Sequence, residues 1–221
     1  MTEIINAITI LFMRKVYLHR ILSICGILAP PTIVIIIVIA GLLIPGYNQL
    51  TESISSLSGQ DSPRPELMTA GFIAYGALII GFSYGLYLRL RRGVKARIIW
   101  LTLTLYGIGM ILAGVFQDSP GMASDITNTE GTIHNITVTT AYFSLLIGMW
   151  LFARSVYNKP SWFGFTWFTI IAAVLGLAMS IIFLVQSHVP YSGLLQRIFY
   201  IIPLIWIEMV SIWLLRLSFK Q

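Results

Sequence analysis

ILSICGILAPPTIVIIIVIAGLLI, residues Ile21 to Ile44, runs for 24 residues without one charged side chain. A helix needs about 20 residues to cross a hydrocarbon core of ~30 Å. The run is too long for the apolar core of a signal peptide, about 7–15 residues, and no small-x-small cleavage site follows it. It reads as a membrane span. Pro30 and Pro31 sit inside it and remove two backbone donors, so they are expected to kink the helix or delay its regular part.

Working outward, five further apolar runs have the length of a span. The six expected spans are 21–45, 67–89, 98–116, 134–154, 163–185 and 197–215. Composition agrees: 57% of the 221 residues are hydrophobic, 10% are charged, and the mean hydropathy is +0.86. Soluble domains carry about 25% charged residues. The expected fold is therefore an all-α integral membrane protein, a bundle of six transmembrane helices over residues 21–215. Residues 1–20, with Arg14, Lys15, His19 and Arg20 among apolar neighbours, form an amphipathic lead-in. Residues 216–221 form a short tail. Glycines in the second to fifth spans suit close helix approach in lipid, and Pro203 is expected to bend the last span.

Charge sets an orientation. Arg14, Lys15, Arg20, Arg89, Arg91, Arg92, Lys95, Arg97, Arg154, Lys159, Arg216 and Lys220 all fall on one side. These are twelve of the 14 basic residues, and only Arg64 and Arg197 fall opposite. Glu52, Asp61, Glu66, Asp118, Asp125 and Glu130 share that opposite side. The positive-inside rule then expects a cell-membrane protein with both termini cytoplasmic, as an even number of spans requires. Trp100, Trp150, Trp162, Trp167 and Trp213 lie near span ends and fit interfacial belts.

The chemistry concentrates on the outer side. GYNQLTESISSLSGQDSPRPE, residues Gly46 to Glu66, is a loop far longer than two adjacent spans need. Loops of such length without regular structure are often functional. It is expected to fold as a lid over polar groups arriving from the other span ends: Asp118, His134 and Asn135, Gln186 and His188, and Gln196 and Arg197. Arg64, Glu66, Asn135, Gln196, Arg197 and Glu208 are the candidate lipid or substrate contacts. Arginine suits phosphate because its planar fork pairs with two oxygens at once.

Three functional readings follow. In the first, the outer ends bind a lipid headgroup without catalysis. In the second, Ser55, His134 and Asp118 act as nucleophile, base and orienter of an intramembrane lipid hydrolase, although no Gly-x-Ser-x-Gly elbow is present. In the third, Glu208 serves a small transporter. It lies near mid-membrane, where an ionisable group costs about 2.5–3.5 kcal/mol and by default marks function. A neutral Glu208 hydrogen-bonded to a neighbouring helix is the structural counterpart. No internal repeat supports a transporter.

No cofactor or metal is expected. Cys25 is the single cysteine; it excludes an internal disulfide and reads as a small apolar filler. His134, His188 and Asp118 have the types of an open zinc site, but no His-x-x-x-His spacing is present. No lysine falls within a span to hold a retinal-like chromophore, and only His134 could offer haem a ligand. The expected partners are membrane lipids and, if six spans form half a pathway, a second copy of the chain. Nucleic acid is not expected.

The ordered set Ile54-Ser-Ser-Leu-Ser-Gly59, Arg64-Pro-Glu66, Gly71-Phe72, Gly114-Val-Phe116, His134-Asn135 and Gly193-Leu-Leu-Gln-Arg197 resembles the bacterial and archaeal membrane family known as domain of unknown function 998. The likeness covers nearly the whole chain. Gln117 stands where that family commonly has proline. More distantly, Ile54-Ser55, Pro65-Glu66, Phe116-Gln117 and His134 resemble the eukaryotic DRAM-like (Frag/DRAM/Sfk) six-span family, with Ser56 in place of its aspartate. That resemblance implies a lipid-facing role on the outer leaflet and carries over no catalytic residues.

Overall fold

The computed structural model describes residues 2–59, 62–90, 93–118, 129–185 and 190–219, and only the backbone of residues 2–12, 14 and 15. Among the described residues it is all-helical. The helices are α1 (Thr2–Leu43), α2 (Pro65–Arg89), α3 (Val94–Val115), α4 (Thr129–Val156), α5 (Phe165–Val185) and α6 (Ser192–Ser218). Six helices are long and apolar enough to cross a membrane, that of α1 counted from Val16. The chain has the architecture of a multi-pass membrane protein.

The helices form a ring. Each packs on its neighbours in the chain, and α6 returns to α1. Where lipid supplies no hydrophobic drive, small residues allow the backbones to approach. A Cβ at Gly76 would lie 2.4 Å from the Gly107 carbonyl oxygen, and one at Gly107 would lie 2.8 Å from that of Gly76. The α2/α3 crossing therefore requires both glycines. At the α1/α6 crossing, a Cβ at Gly26 would meet the Ser211 hydroxyl.

Two buried layers fill the ring. Towards the end that carries the α2–α3 connection, Trp206 stacks edge-on against Phe82 and Phe152, and Phe152 against Trp162. Trp206 donates its indole hydrogen to Thr169 Oγ1 at 3.0 Å. The other half holds tyrosines. The Tyr75 and Tyr106 hydroxyls pair at 2.9 Å, Tyr142 donates to the Gly176 carbonyl, and Tyr200 reaches Met110 Sδ. Buried hydroxyls need such partners, because an unmet one costs free energy in an apolar medium.

Several boundaries differ from expectation. Helix α1 continues from the lead-in through Pro30 and Pro31 as one 42-residue element. Helix α4 starts at Thr129, so His134 and Asn135 lie in its second turn rather than at its opening. Helix α6 starts at Ser192, which likewise moves Gln196 and Arg197 inside. Both helices begin in polar sequence outside the apolar runs, where hydropathy gives no signal. Trp162 is buried against the bundle rather than exposed at its end. The short 3-10 turn Pro160–Trp162 folds its ring over Phe152 and Phe165. Cys25 is half-buried, its sulfur facing Gly81 of α2.

The ends of the bundle differ in charge. Arg89, Lys95, Arg97, Arg154, Lys159 and Arg216 gather at one end, where Arg20 of α1 lies 4.2 Å over the Phe219 ring beyond α6. Glu52, Arg64, Glu66, Asp118, Glu130 and Arg197 gather at the other. Arg91, Arg92, Lys220, Asp61 and Asp125 lie outside the described residues.

Candidate functional site

The α1–α2 connection builds a cap over this second end. Asn48 starts it with a local turn: its Oδ1 accepts the Leu50 amide at 2.9 Å, while its own amide donates to Glu52 Oε1 at 3.0 Å. Such side-chain bonds replace backbone pairing in turns. A 3-10 turn, Ser55–Ser58, follows, with Leu57 and Ser58 buried. Its serines satisfy the turn itself. Ser56 and Ser58 donate to the carbonyls of Ser53 and Ser55, and the Ser53 and Ser55 hydroxyls pair at 3.2 Å.

Helix α6 clamps the cap from the side. Arg197 Nη1 donates to the carbonyls of Gln49 (2.6 Å), Glu52 (2.9 Å) and Gly193 (3.0 Å), and Nη2 donates to the Tyr47 hydroxyl at 2.6 Å. Tyr47 passes the bond on to the Ser53 carbonyl at 2.9 Å. Gln196 Oε1 accepts the Ile54 amide, the Leu194 amide reaches the Leu50 carbonyl at 3.0 Å, and Ser192 donates to that of Thr51. A Cβ at Gly193 would lie 2.2 Å from the Glu52 carbonyl oxygen, so the cap can dock only on a glycine. Burial holds the Tyr47 phenol above its ordinary pKa, against the opposing pull of Arg197.

Beneath the clamp lies a groove of about 180 Å³ between α1 and α6. Val34, Ile37 and Val38 form one wall; Tyr200, Ile201 and Leu204 form the other. The cap contributes Ile54 and Gln49, and Arg197 closes the polar end. Val34, Val38 and Ile201 are more than a third exposed, so the groove opens sideways from the bundle. The four oxygens that accept from Arg197 among the described residues are all neutral. Its positive charge therefore has no carboxylate partner among them, and an anion at the groove's head would meet it.

The remaining candidates fall elsewhere. His134 is buried; its Nδ1 lies 2.8 Å from the Phe116 carbonyl and 3.1 Å from that of Ala113. Carbonyls only accept, so Nδ1 carries a proton and the backbone at the end of α3 orients the ring. Asp118 borders the cap on this side, its carbonyl 3.5 Å from a Cβ built at Gly59. Arg64, Glu66 and Asn135 are exposed. Glu208 lies deeper, and its Oε2 is buried without a hydrogen-bond partner among the described residues. His188 and Gln186 lie outside the described residues. Among those described, no three His, Cys, Asp or Glu side chains group as metal ligands. Tyr47, Gln49 and Gly193 fall in the long loop and the Gly193 to Arg197 motif but are not among the candidate contacts, and the apolar walls look like any other stretch of span.

The chain belongs to the family described as "Protein of unknown function (DUF998)", whose model matches residues 27–213. The match takes in the groove, the cap and the clamp. No curated protein and no solved structure matches the chain.

Proposed function

We propose that this member of the DUF998 family is a lipid-interacting membrane protein. An acyl chain lies in the α1/α6 groove, and an anionic headgroup meets Arg197 and Gln49 beneath the cap. The observation that carries the reading is the groove itself, apolar along both walls and ending at an arginine whose hydrogen-bond acceptors, among the described residues, are all neutral oxygens. The clamp engages both Nη atoms, so an anionic headgroup meets Arg197 through its charge and its remaining N–H donors, and a bilayer supplies chains to any lateral opening. The likeness to DRAM-like proteins, which are linked to lipid remodelling, favours the same role. The charge asymmetry orients the protein in the cell membrane with the cap outside and the basic end, with both termini, in the cytoplasm.

The hydrolase alternative draws less support. The Ser55 hydroxyl meets Ser53, and two backbone carbonyls at the end of α3 occupy His134 Nδ1.

Native mass spectrometry of protein released from mixed-lipid nanodiscs tests the proposal. The wild type is expected to retain an anionic phospholipid. Ile201→Trp, which fills the groove without touching the clamp, is expected to lower retention at least tenfold. Ile171→Trp, on the exposed face of α5, is expected to leave it unchanged. Equal retention by Ile201→Trp and wild type contradicts the reading.

A further inference from the structure

The α1/α6 seam continues past the groove towards mid-membrane. Leu204 lines the deep end of the groove, and Ser211 meets Gly26 of α1. These are two points at which α6 faces α1. Glu208 lies four residues after the first and three before the second, on the same helix face. On α1 the corresponding stretch, between Gly26 opposite Ser211 and Val34 in the groove with Leu204, is the one that contains Pro30 and Pro31.

Proline has no amide hydrogen. In a regular helix the amides of residues 30 and 31 would bond the carbonyls of Gly26 and Ile27. Those two oxygens therefore lack their helical donors. Helix carbonyls point towards the C-terminus, which carries these two from the Gly26/Ser211 contact towards the level of Glu208. Among the described residues, α1, α5 and α6 set no countercharge at this level of the seam. Helix α1 carries no charged side chain from Ile21 to Leu43, and α5 carries none at all. Within α6, the charges nearest to Glu208 are Arg197 and Arg216, eleven and eight residues away. Cys25, the other ionisable group in this part of α1, faces Gly81 of α2. A carboxylate oxygen that is buried without a partner among the described residues thus belongs to the same level of the seam as two carbonyls whose regular helical donors are missing.

We propose that this seam binds a monovalent metal cation, with the Glu208 carboxylate supplying the charge and the Gly26 and Ile27 carbonyls supplying neutral ligands. Hard cations take oxygen ligands. Carbonyls freed from helical bonding coordinate sodium in transporters with broken helices. One carboxylate balances one positive charge, which selects a monovalent over a divalent ion. The site is independent of the lipid reading, since it shares no ligand with the groove.

Equilibrium binding of radioactive sodium to the purified full-length protein in nanodiscs tests it. The wild type is expected to bind about one ion per chain saturably at pH 8. Binding should weaken as the pH is lowered, because protons compete for the carboxylate. Glu208→Gln is expected to abolish binding while the protein stays monodisperse. The double variant Pro30→Ala/Pro31→Ala returns both amide donors to α1 and is expected to lower affinity at least tenfold. Ile201→Trp should bind sodium as the wild type does. Absence of saturable binding to the intact wild type, or equal binding by Glu208→Gln, overturns the proposal. Unchanged affinity in the double proline variant overturns the carbonyl ligands.

Discussion

Arg197 joins the last helix to the cap through three acceptors, the Gln49 and Glu52 carbonyls and the Tyr47 hydroxyl, while a fourth bond, to the Gly193 carbonyl, stays within α6. Hydrogen bonds from charged groups contribute about 1.5–3 kcal/mol each when well shielded, and partial exposure here places the whole clamp near that range. Arg197→Ala is therefore expected to speed amide hydrogen exchange in residues 47–57 by roughly ten- to a hundredfold, with little change in α3 and α4. Arg197→Lys should recover only part, since a lysine cannot serve the carbonyls and Tyr47 from one planar fork. Gly193→Ala places a methyl against the Glu52 backbone and should cost about 1–3 kcal/mol of cap docking by the same measurement. Tyr47 adds a pH dependence. Its phenol keeps its proton more tightly when docked than when free. Docking is then unaffected below about pH 10 and weakens as the pH rises further, because only the undocked phenol ionises there. Exchange in the cap should accelerate above that pH in the wild type, and less in Tyr47→Phe. Arg197 and Gln196 were legible as candidates because polar residues are rare in this chain. Their partners were not, because backbone carbonyls have no sequence signature.

At the scale of elements, the apolar runs located all six helices. They did not show where a helix extends into polar sequence. The first turn of α4 contains Glu130, and that of α6 opens on Ser192 and Gly193; neither resembles a span. The continuous α1 shows the same limit from the other side. Two prolines remove only the two bonds that their amides would have made, and apolar packing on α2 and α6 carries the helix through. Close approach was legible as a tendency of glycines but not as specific pairs. The mutual contact of Gly76 and Gly107 gives a direct test. Gly76→Leu is expected to force α2 from α3 and lower the unfolding temperature in detergent by several degrees or more, whereas Ala77→Leu, at an exposed neighbour, is expected to have little effect.

For the whole molecule, the division of charge between the two ends was readable from the sequence and corresponds to a physical polarity of the bundle. Membrane-impermeant thiol labelling of intact cells, in a Cys25→Ser background, tests the orientation proposed for it. A cysteine at Gln49 is expected to react and one at Lys95 is not. The groove was not readable at all. Its walls are ordinary aliphatic residues, and only the return of α6 to α1 sets Val34 and Val38 beside Ile201 with Arg197 at the head. Electron cryomicroscopy of the protein in native-lipid nanodiscs would show most directly whether this groove holds a lipid. Ordered acyl-chain density is expected between Val34 and Ile201, ending in a headgroup at Arg197 and Gln49. An equally well-resolved map with no ordered chain in that groove would contradict the lipid reading.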